Sequence, residues 1–294
     1  MHQFFLALGF GLVTSGIIAL SSVAMSLQYS VTRSINFAHG DLMTVGAYLG
    51  YVVAKSHGGI ALQVIVAIVG GAFTAYLLNA LLFRPFRRLR ASNLTILVLT
   101  IAASLIIQNV LQIFFSGNFV NYPLANSNAI KVGPFRWTAI EIAIMIAAAA
   151  ILLALHFTIR RSKFGKAQRA VADDILLART TGVSAERIIN ITWLIDGAIA
   201  GLSGLLLAYQ IGSFTPSVGF TFLLVVFAAA VIGGIGQMYG AMIGSLIVGI
   251  VTEVSALWVA SDYKQTMAFI VLVIALMLRP QGIIPALGEI ATAQ

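Results

Sequence analysis

The chain has 294 residues, of which 60% are hydrophobic and only 9% are charged. Soluble domains carry about 25% charged residues, and disordered segments combine low hydrophobicity with high charge, so the composition excludes both classes. It predicts an all-α, polytopic membrane protein in which the whole chain forms a single transmembrane domain. The absence of cysteine excludes disulfides, thiol nucleophiles and cysteine-ligated metals.

The net charge of +8 is concentrated in two stretches. Eleven of the 17 Lys and Arg residues lie either between Arg84 and Arg90 or between Arg160 and Arg187, and each stretch separates long apolar runs. Cytoplasmic loops have this pattern, whereas a nucleic-acid-binding surface combines basic residues with base-stacking aromatics. We therefore predict no nucleic-acid partner and a lipid bilayer around the chain.

Apolar runs between the polar loops predict about eight to nine transmembrane helices. The segment 197–252 holds 56 residues without a formal charge, which is too long for one helix and predicts two, divided near 233–236. Counting from the basic loops places the amino terminus outside and the carboxyl terminus in the cytoplasm. In chain order the other spans cover about 3–25, 36–55, 59–83, 93–116, 138–159, 188–210 and 265–278.

Glycines at small-xxx-small spacing are the most specific feature of the apolar runs. Such spacing lets helix backbones approach closely in lipid, so we predict helix packing at Gly46, Gly50, Gly236, Gly240 and Gly244. The pattern Gly-Ala-x-x-Gly occurs at 46–50 and again at 240–244, in spans that cross in the same direction in the predicted topology. This similarity favours a parallel internal repeat, with generic membrane packing as the alternative.

Ionisable residues within apolar runs are candidates for transport or chemistry. His39 and Asp41 lie near the start of the second span, and Asp196 interrupts the sixth. Asp41 and Asp196 would be an acid–base pair in an enzyme and coupling sites in an ion-driven carrier, whereas Asp41 caps a helix in a purely structural interpretation. The chain has no HExxH or GxSxG motif. We expect no catalytic residue and no metal site.

The loop at about 160–187 contains a predicted amphipathic helix. Residues Ala167 to Thr180 have helical periodicity, and Gly182 follows as a natural helix stop. The segment is too polar to enter lipid. It either lies on the membrane surface or fills a groove on a partner, and its composition favours neither.

Several motifs resemble those of bacterial branched-chain amino acid permeases, the membrane subunits of ATP-binding-cassette importers. The resemblance covers about residues 15–285, with the motifs in the correct order, and the length matches the shorter of the two permeases in such importers. The segments that carry it are Ile35 to Tyr48, Gly165 to Asp174 with Ala178 and Gly182, Ala200 to Gly204, and Gly233 to Gly244.

The resemblance implies a multi-pass protein of the bacterial inner membrane that forms half of a pathway for leucine, isoleucine or valine. Its partners would be a second, homologous permease, an external solute-binding protein and two cytoplasmic ATPases. ATP and Mg²⁺ would bind the ATPases, and this chain would hold no cofactor and perform no catalysis. Urea and short-amide permeases share much of the pattern, and an ion-coupled secondary transporter is the alternative from another class.

The resemblance also makes 160–187 the loop that couples the permease to an ATPase. We expect Ala170, Val171, Ile175 and Ala178 to lie in a groove of the ATPase. The full set of predicted coupling residues is Gly165, Arg169, Ala170, Val171, Asp173, Ala178 and Gly182. For the translocation pathway the candidates are Asn36, His39, Asp41 and Tyr48, because they combine polar groups with small neighbours in an otherwise apolar chain.

Overall fold

The computed structural model describes residues 2–89, 91–123, 129–260, 263–279 and 282–284. The predictions for the carboxyl-terminal end beyond 284 and for part of the polar segment 117–137 lie outside these ranges. The helices are α1 (His2–Thr32), α2 (His39–Lys55), α3 (Ile60–Leu78), α4 (Arg84–Arg88), α5 (Asn93–Phe115), α6 (Ala139–Arg161), α7 (Lys163–Asp173), α8 (Ile175–Thr180), α9 (Ala185–Ile211), α10 (Val218–Gly233), α11 (Met238–Ser255) and α12 (Lys264–Leu278). The strands are β1 (Val120–Asn121), β2 (Ile130–Val132), β3 (Phe135–Trp137) and β4 (Ser213–Phe214).

Six helical segments of the described chain are long and apolar enough to cross a membrane. They are α1, the segment Ile60–Arg88, α5, α6, α9 and α11, and the apolar helices α10 and α12 are shorter. The prediction of an all-α, polytopic membrane protein is therefore confirmed. The count of eight to nine spans and the internal repeat stay predictions.

The chain forms two compact units. The terminal unit comprises Met1–Ser26, Ala125–Thr158 and Leu224–Gln294, and the middle unit comprises Leu27–Leu124 and Ile159–Leu223. Helices α1, α6 and α10 each contribute residues to both units. The prediction of one transmembrane domain for the whole chain stays a prediction.

In the middle unit, helices α2, α3 and α9 pack through glycine. Gly46 lies against the backbone of Gly201, Gly71 lies against that of Gly197, and Gly50 contacts the side chain of Leu205. A Cβ atom at Gly46 or Gly71 would overlap backbone atoms of α9, so only glycine permits this approach. The result places the start of α2 against the middle of α9.

The terminal unit uses the same device between α10 and α11. Gly240 lies against Gly233, and Gly244 lies against Ala229, so the neighbour of this glycine element is a helix of the same chain. Gly236 differs from the prediction, because its φ of +87° places it in the turn between the two helices rather than on a packed helix face. Helices α1 and α11 also meet through hydroxyls, with Ser22 Oγ and Ser245 Oγ 2.7 Å apart.

The strands are short and antiparallel. Strand β1 pairs with β4 in the middle unit, and β2 pairs with β3 in the terminal unit. Pairing of β1 with β4 requires the chain to be on one side of the membrane at 120–121 and at 213–214. The predicted topology places both segments outside, and the sidedness of the termini stays a prediction.

Candidate functional site

Helix α2 begins inside the middle unit with a buried polar turn. Asn36 accepts a hydrogen bond from the backbone N–H of Ala38 (3.1 Å) and donates from Nδ2 to Oε1 of Gln28 at the end of α1 (3.2 Å). Asn36 and Gln28 are buried, with 3% and 1% of their surface exposed. The turn at 33–38 therefore fastens the end of α1 to the first residues of α2.

His39 and Asp196 form the central contact of the site. Their Nδ1 and Oδ1 atoms lie 3.0 Å apart, and both side chains are fully buried. Asp196 is the twelfth of the 27 residues of α9, which places it roughly 17 Å from the start of that helix at 1.5 Å per residue. Ionisable groups at such a position are costly unless they are paired, and the 3.0 Å separation is short enough for an ion pair but lacks the geometry of a hydrogen bond.

The structure therefore pairs Asp196 with His39 rather than with Asp41, the partner considered from the sequence. Residues 39 and 41 are two apart on a helix and project about 200° apart at 100° per residue, so only one of them can face α9. A purely capping role for this segment is also not observed. Among the described residues no side chain caps α2, and Ala38 is its N-cap.

Asp41 is fully buried and faces α5 instead. Ser104 and Gln108 of α5 are the polar side chains directed towards its carboxylate, but no described residue donates to it in good hydrogen-bond geometry. Gln108 Nε2 uses one of its two N–H groups in a hydrogen bond to Ser104 Oγ (3.1 Å). A buried carboxylate without a well-formed hydrogen bond can accept one from a ligand's N–H group, and the Asp196 carboxylate has the same property.

Tyr48 lies further along α2 within an aromatic cluster. Its ring centroid is 4.4 Å from that of Phe115 and 5.1 Å from that of Phe214, and only 1% of the residue is exposed. Nearby, the hydroxyls of Tyr122 and Tyr209 both donate to Oε1 of Gln63 at 2.7 Å. Burial raises the pKa of Tyr122, so this phenol stays a neutral donor.

The loop at 160–187 contains two helices, not the single one predicted over 167–180. Helix α7 ends at Asp173, because the next residue, Asp174, is extended and serves as the N-cap of α8. The Asp174 carboxylate accepts from the backbone N–H groups of Leu176 (2.7 Å) and Leu177 (3.0 Å). Asp174 thus separates two helical faces that the sequence pattern had combined.

The exposed apolar residues of this loop are also not the predicted ones. Val171 and Ala178 are each only 3% exposed and lie inside the middle unit, so they are unavailable to a partner. Ala170 and Ile175 are half-buried. Leu176 and Leu177 of α8 are 68% and 64% exposed and form the apolar surface of the loop.

The other residues predicted for coupling, two glycines and two charged residues, have different structural roles. Gly165 lies against the backbone of Ile159, to whose carbonyl Arg169 also donates. Asp173 is exposed. Gly182 has a φ of +83° and follows the end of α8, as a helix stop does.

Hydrogen bonds connect α7 to the site at the start of α2. The guanidinium of Arg33 donates to the carbonyl of Ala172 (2.5 Å), and Nε2 of Gln168 donates to the carbonyl of Leu27 (3.5 Å). Leu27 lies near the end of α1, and Arg33 is the first residue of the turn at 33–38 that contains Asn36. Sequence reasoning missed Gln28, Arg33 and Gln168. The only signal for them was that Arg33 is the first Lys or Arg of the chain.

Comparisons with known proteins show the family of the chain. The family model described as "Branched-chain amino acid transport system / permease component" matches residues 7–276. The chain is 31% identical to the high-affinity branched-chain amino acid transport system permease protein LivH of Escherichia coli (strain K12), over 93% of each chain. It is 28% identical to the corresponding protein BraD of Pseudomonas aeruginosa, again over 93% of each. No solved structure matches.

A more distant relative has a different solute in its name. The chain is 23% identical to the ribose import permease protein RbsC of Escherichia coli (strain K12), over 88% of this chain and 81% of that protein. The chain thus has sequence relatives named for chemically different solutes.

Proposed function

Because the chain belongs to the family of branched-chain amino acid transport system permease components, we propose that it is the membrane subunit of an importer for leucine, isoleucine and valine. The observation that carries this proposal is the family match over residues 7–276, together with the likeness to two permeases named for these amino acids. The chain acts as a transport subunit and not as an enzyme.

The proposed importer contains further subunits. A second, homologous permease completes the pathway, an external solute-binding protein delivers the amino acid, and two cytoplasmic ATPases bind ATP and Mg²⁺. The complex lies in the inner membrane, with the amino terminus of this chain outside and its carboxyl terminus in the cytoplasm. The concentration of basic residues in two loops supports this orientation.

The proposed pathway runs past the start of α2. A branched-chain amino acid combines an ammonium and a carboxylate with an aliphatic side chain, so its route needs polar groups within apolar walls. Asp41 has unused acceptor capacity for an ammonium, and Asn36 and His39 are polar groups at the same end of α2. Tyr48 and its aromatic neighbours supply apolar surface further along the helix.

The proposed coupling element is the helix pair α7–α8. Leu176 and Leu177 provide the exposed apolar surface that an ATPase groove would cover. Movement of α7 would act on α1 through Gln168 and Arg33, and then on His39 through the turn at 33–38. This route lies wholly within the middle unit.

Reconstitution tests the proposal. The permease is incorporated into vesicles with its second permease, the two ATPases and the binding protein, and uptake of labelled leucine is measured. We expect uptake to need ATP and to persist when an uncoupler collapses the proton gradient. Uptake of leucine into ATP-free vesicles under an imposed pH gradient would instead establish the ion-coupled carrier.

Competition in the same vesicles tests the solute. Unlabelled isoleucine and valine should abolish uptake of labelled leucine, whereas urea, acetamide and ribose at the same concentration should leave it unchanged. Inhibition by urea or acetamide alone would transfer the assignment to a short-amide permease while leaving the ATP dependence intact.

A further inference from the structure

A groove rich in arginine lies at one end of the middle unit, outside the proposed pathway. It has a volume of about 450 Å³ and is bounded by α4, the start of α5, α8 and the start of α9. Four of its lining residues are arginines, and one is a glutamate. We call it the basic groove; its charged lining residues are Arg84, Arg87, Arg88, Arg179 and Glu186.

The charges of the basic groove do not balance. The single carboxylate, Glu186, accepts from Arg84 (2.8 Å) and from Arg88 (3.2 Å). Arg87 donates to the neutral amide oxygen of Asn79 (2.7 Å), which offers no countercharge. The guanidinium of Arg179 makes no hydrogen bond to any described residue. With four positive groups and one negative group, the groove has a formal charge of +3.

The remaining walls of the basic groove are partly aliphatic. Ile96, Ile175 and Ile189 line it beside the guanidinium groups. An inorganic anion needs no such walls, whereas the glycerol and first methylenes of a phospholipid do. The groove also lies at the junction of the two basic loops, which the predicted topology places at the cytoplasmic surface, where anionic lipids collect.

We propose that the basic groove binds the phosphate group of an anionic phospholipid such as phosphatidylglycerol or cardiolipin. Arginine is suited to this because its planar guanidinium can donate two parallel hydrogen bonds to phosphate oxygens. Among the described residues, Arg87 and Arg179 form no salt bridge with a carboxylate, and they provide the contacts. An acidic segment of a protein partner fits less well, because the groove is enclosed by four elements of the chain itself and has isoleucine walls.

The bound lipid has a consequence for the proposed coupling element. Arg179 and Ile175 belong to α8, the helix that exposes Leu176 and Leu177. A lipid held by Arg179 therefore fixes α8 against α4 and α9. This step rests on the proposed function, whereas lipid binding itself rests only on the groove.

The experiment uses the purified full-length permease in a neutral detergent, without ATPases. Phosphatidylglycerol, cardiolipin or phosphatidylcholine is titrated, and retained lipid is counted by native mass spectrometry. We expect the anionic lipids to bind at least tenfold more tightly than phosphatidylcholine. Arg179→Gln should weaken this binding at least tenfold without changing the melting temperature, because the Arg179 side chain makes no hydrogen bond to a described residue. Arg87→Gln is tested second, because this substitution also removes an internal hydrogen bond, the one from Arg87 to Asn79.

Arg160→Gln combined with Arg161→Gln is the matched control, because it removes two charges from the basic loop at 160–187 without changing a lining residue of the groove. The proposal would be overturned if the control lost as much affinity for anionic lipid as Arg179→Gln does. It would also be overturned if the permease bound phosphatidylcholine as tightly as the anionic lipids. Inorganic phosphate provides the third arm. If phosphate alone displaces the lipid at millimolar concentration, the site is one for free phosphate and the lipid assignment fails. Leucine uptake is not an endpoint here, so failure of the lipid site leaves the transport proposal standing.

Discussion

Helices α2 and α11 have the same Gly-Ala-x-x-Gly element but different surroundings. In α2 the first glycine, Gly46, meets the backbone of Gly201, and in α11 Gly240 meets that of Gly233. The element therefore does the same work in both units, which is to bring two helix backbones together. Close packing is thus the property that α2 and α11 share.

The difference lies in the residues that precede the element. Seven and five residues before Gly46, α2 has His39 and Asp41, both fully buried. The same positions before Gly240 are Gly233 and Ile235, in the end of α10 and the following turn. Helix α2 therefore combines packing with buried ionisable groups, and α11 has packing alone. This contrast supports the proposal that the pathway lies in the middle unit.

The largest expected effect tests the close helix packing that α2 and α11 share. Gly46→Leu and Gly240→Leu should each prevent folding, because the new side chain would overlap the backbone of a neighbouring helix. The cost should exceed the roughly 1–3 kcal/mol that is typical of overpacking, since backbone cannot move aside as a side chain can. The measurement is the yield of monodisperse permease and its melting temperature.

Gly59→Leu is the control for both glycine variants. It lies at the N-cap of α3, has an extended backbone, and has open space where its Cβ atom would be. We expect normal folding. Normal yield of Gly240→Leu would show that α10 and α11 do not pack as described, and the similarity of the two elements would then have no structural meaning.

The second-largest expected effect concerns the contact between His39 and Asp196 in the middle unit. His39→Ala should destabilise the permease by about 3–5 kcal/mol, because it removes the residue that the buried Asp196 carboxyl faces at 3.0 Å. His39→Ala combined with Asp196→Ala should recover part of this loss, since neither buried ionisable side chain remains. Urea unfolding of the single and double variants measures the coupling. Additive effects in the double variant would mean that the 3.0 Å contact contributes nothing to stability.

Composition was sufficient to predict the membrane class and the all-α architecture, since 60% hydrophobic and 9% charged residues leave few alternatives. The glycine spacing also identified residues that contact other helices, such as Gly46 and Gly244. It failed at Gly236 because spacing does not reveal a positive φ, and a glycine in a turn has the same letter as one on a helix face.

The site was only partly predictable because it depends on directions in space. Sequence reasoning identified His39, Asp41 and Asp196 as unusual but not which two were in contact. That choice follows from the rotation of α2 about its axis, which the Gly46 contact determines. Likewise, the hydrophobic pattern of 167–180 ignored the cap at Asp174, which ends one helix, begins another and exposes Leu176 instead of Val171.

Neutralising Asp41 should abolish function without unfolding the protein. Asp41→Asn preserves the shape of the side chain but replaces one carboxylate oxygen with an NH2 donor, and we expect normal yield and stability. Leucine uptake should fall at least tenfold, because the amide is a poor acceptor for an ammonium in a buried site. Ser245→Ala in the terminal unit is the comparison, since Ser245 is equally buried but bonds only to Ser22 and a backbone carbonyl. Uptake that is normal in Asp41→Asn would remove α2 from the pathway.

A smaller effect is expected on the exposed face of α8. Leu176→Asp and Leu177→Asp should weaken co-purification of the ATPases about tenfold, because each would place a charge in an apolar contact. Their melting temperatures should match that of the natural chain, since both side chains are more than half exposed. Ala178→Asp serves as the opposite case, because Ala178 is buried and its substitution should destabilise the permease itself. Unchanged ATPase binding in both leucine variants would return α8 to the membrane surface.

The smallest expected effect concerns the charged pair of the terminal unit. Glu253 accepts from Thr14 (3.1 Å) and pairs with Lys264 (2.6 Å), and its side chain is 14% exposed while that of Lys264 is 35% exposed. Solvent reaches the pair mainly through Lys264 and screens it in part, so Glu253→Gln should lower the melting temperature slightly. Leucine uptake should stay normal, because no ionisable residue of α11 has the fully buried setting of His39 or Asp196.

The Glu253→Gln variant is measured beside Asp196→Asn in the same vesicles. A loss of uptake in Glu253→Gln as large as that in Asp196→Asn would mean that the terminal unit also carries transport chemistry, and the contrast between α2 and α11 would no longer distinguish a functional helix from a structural one.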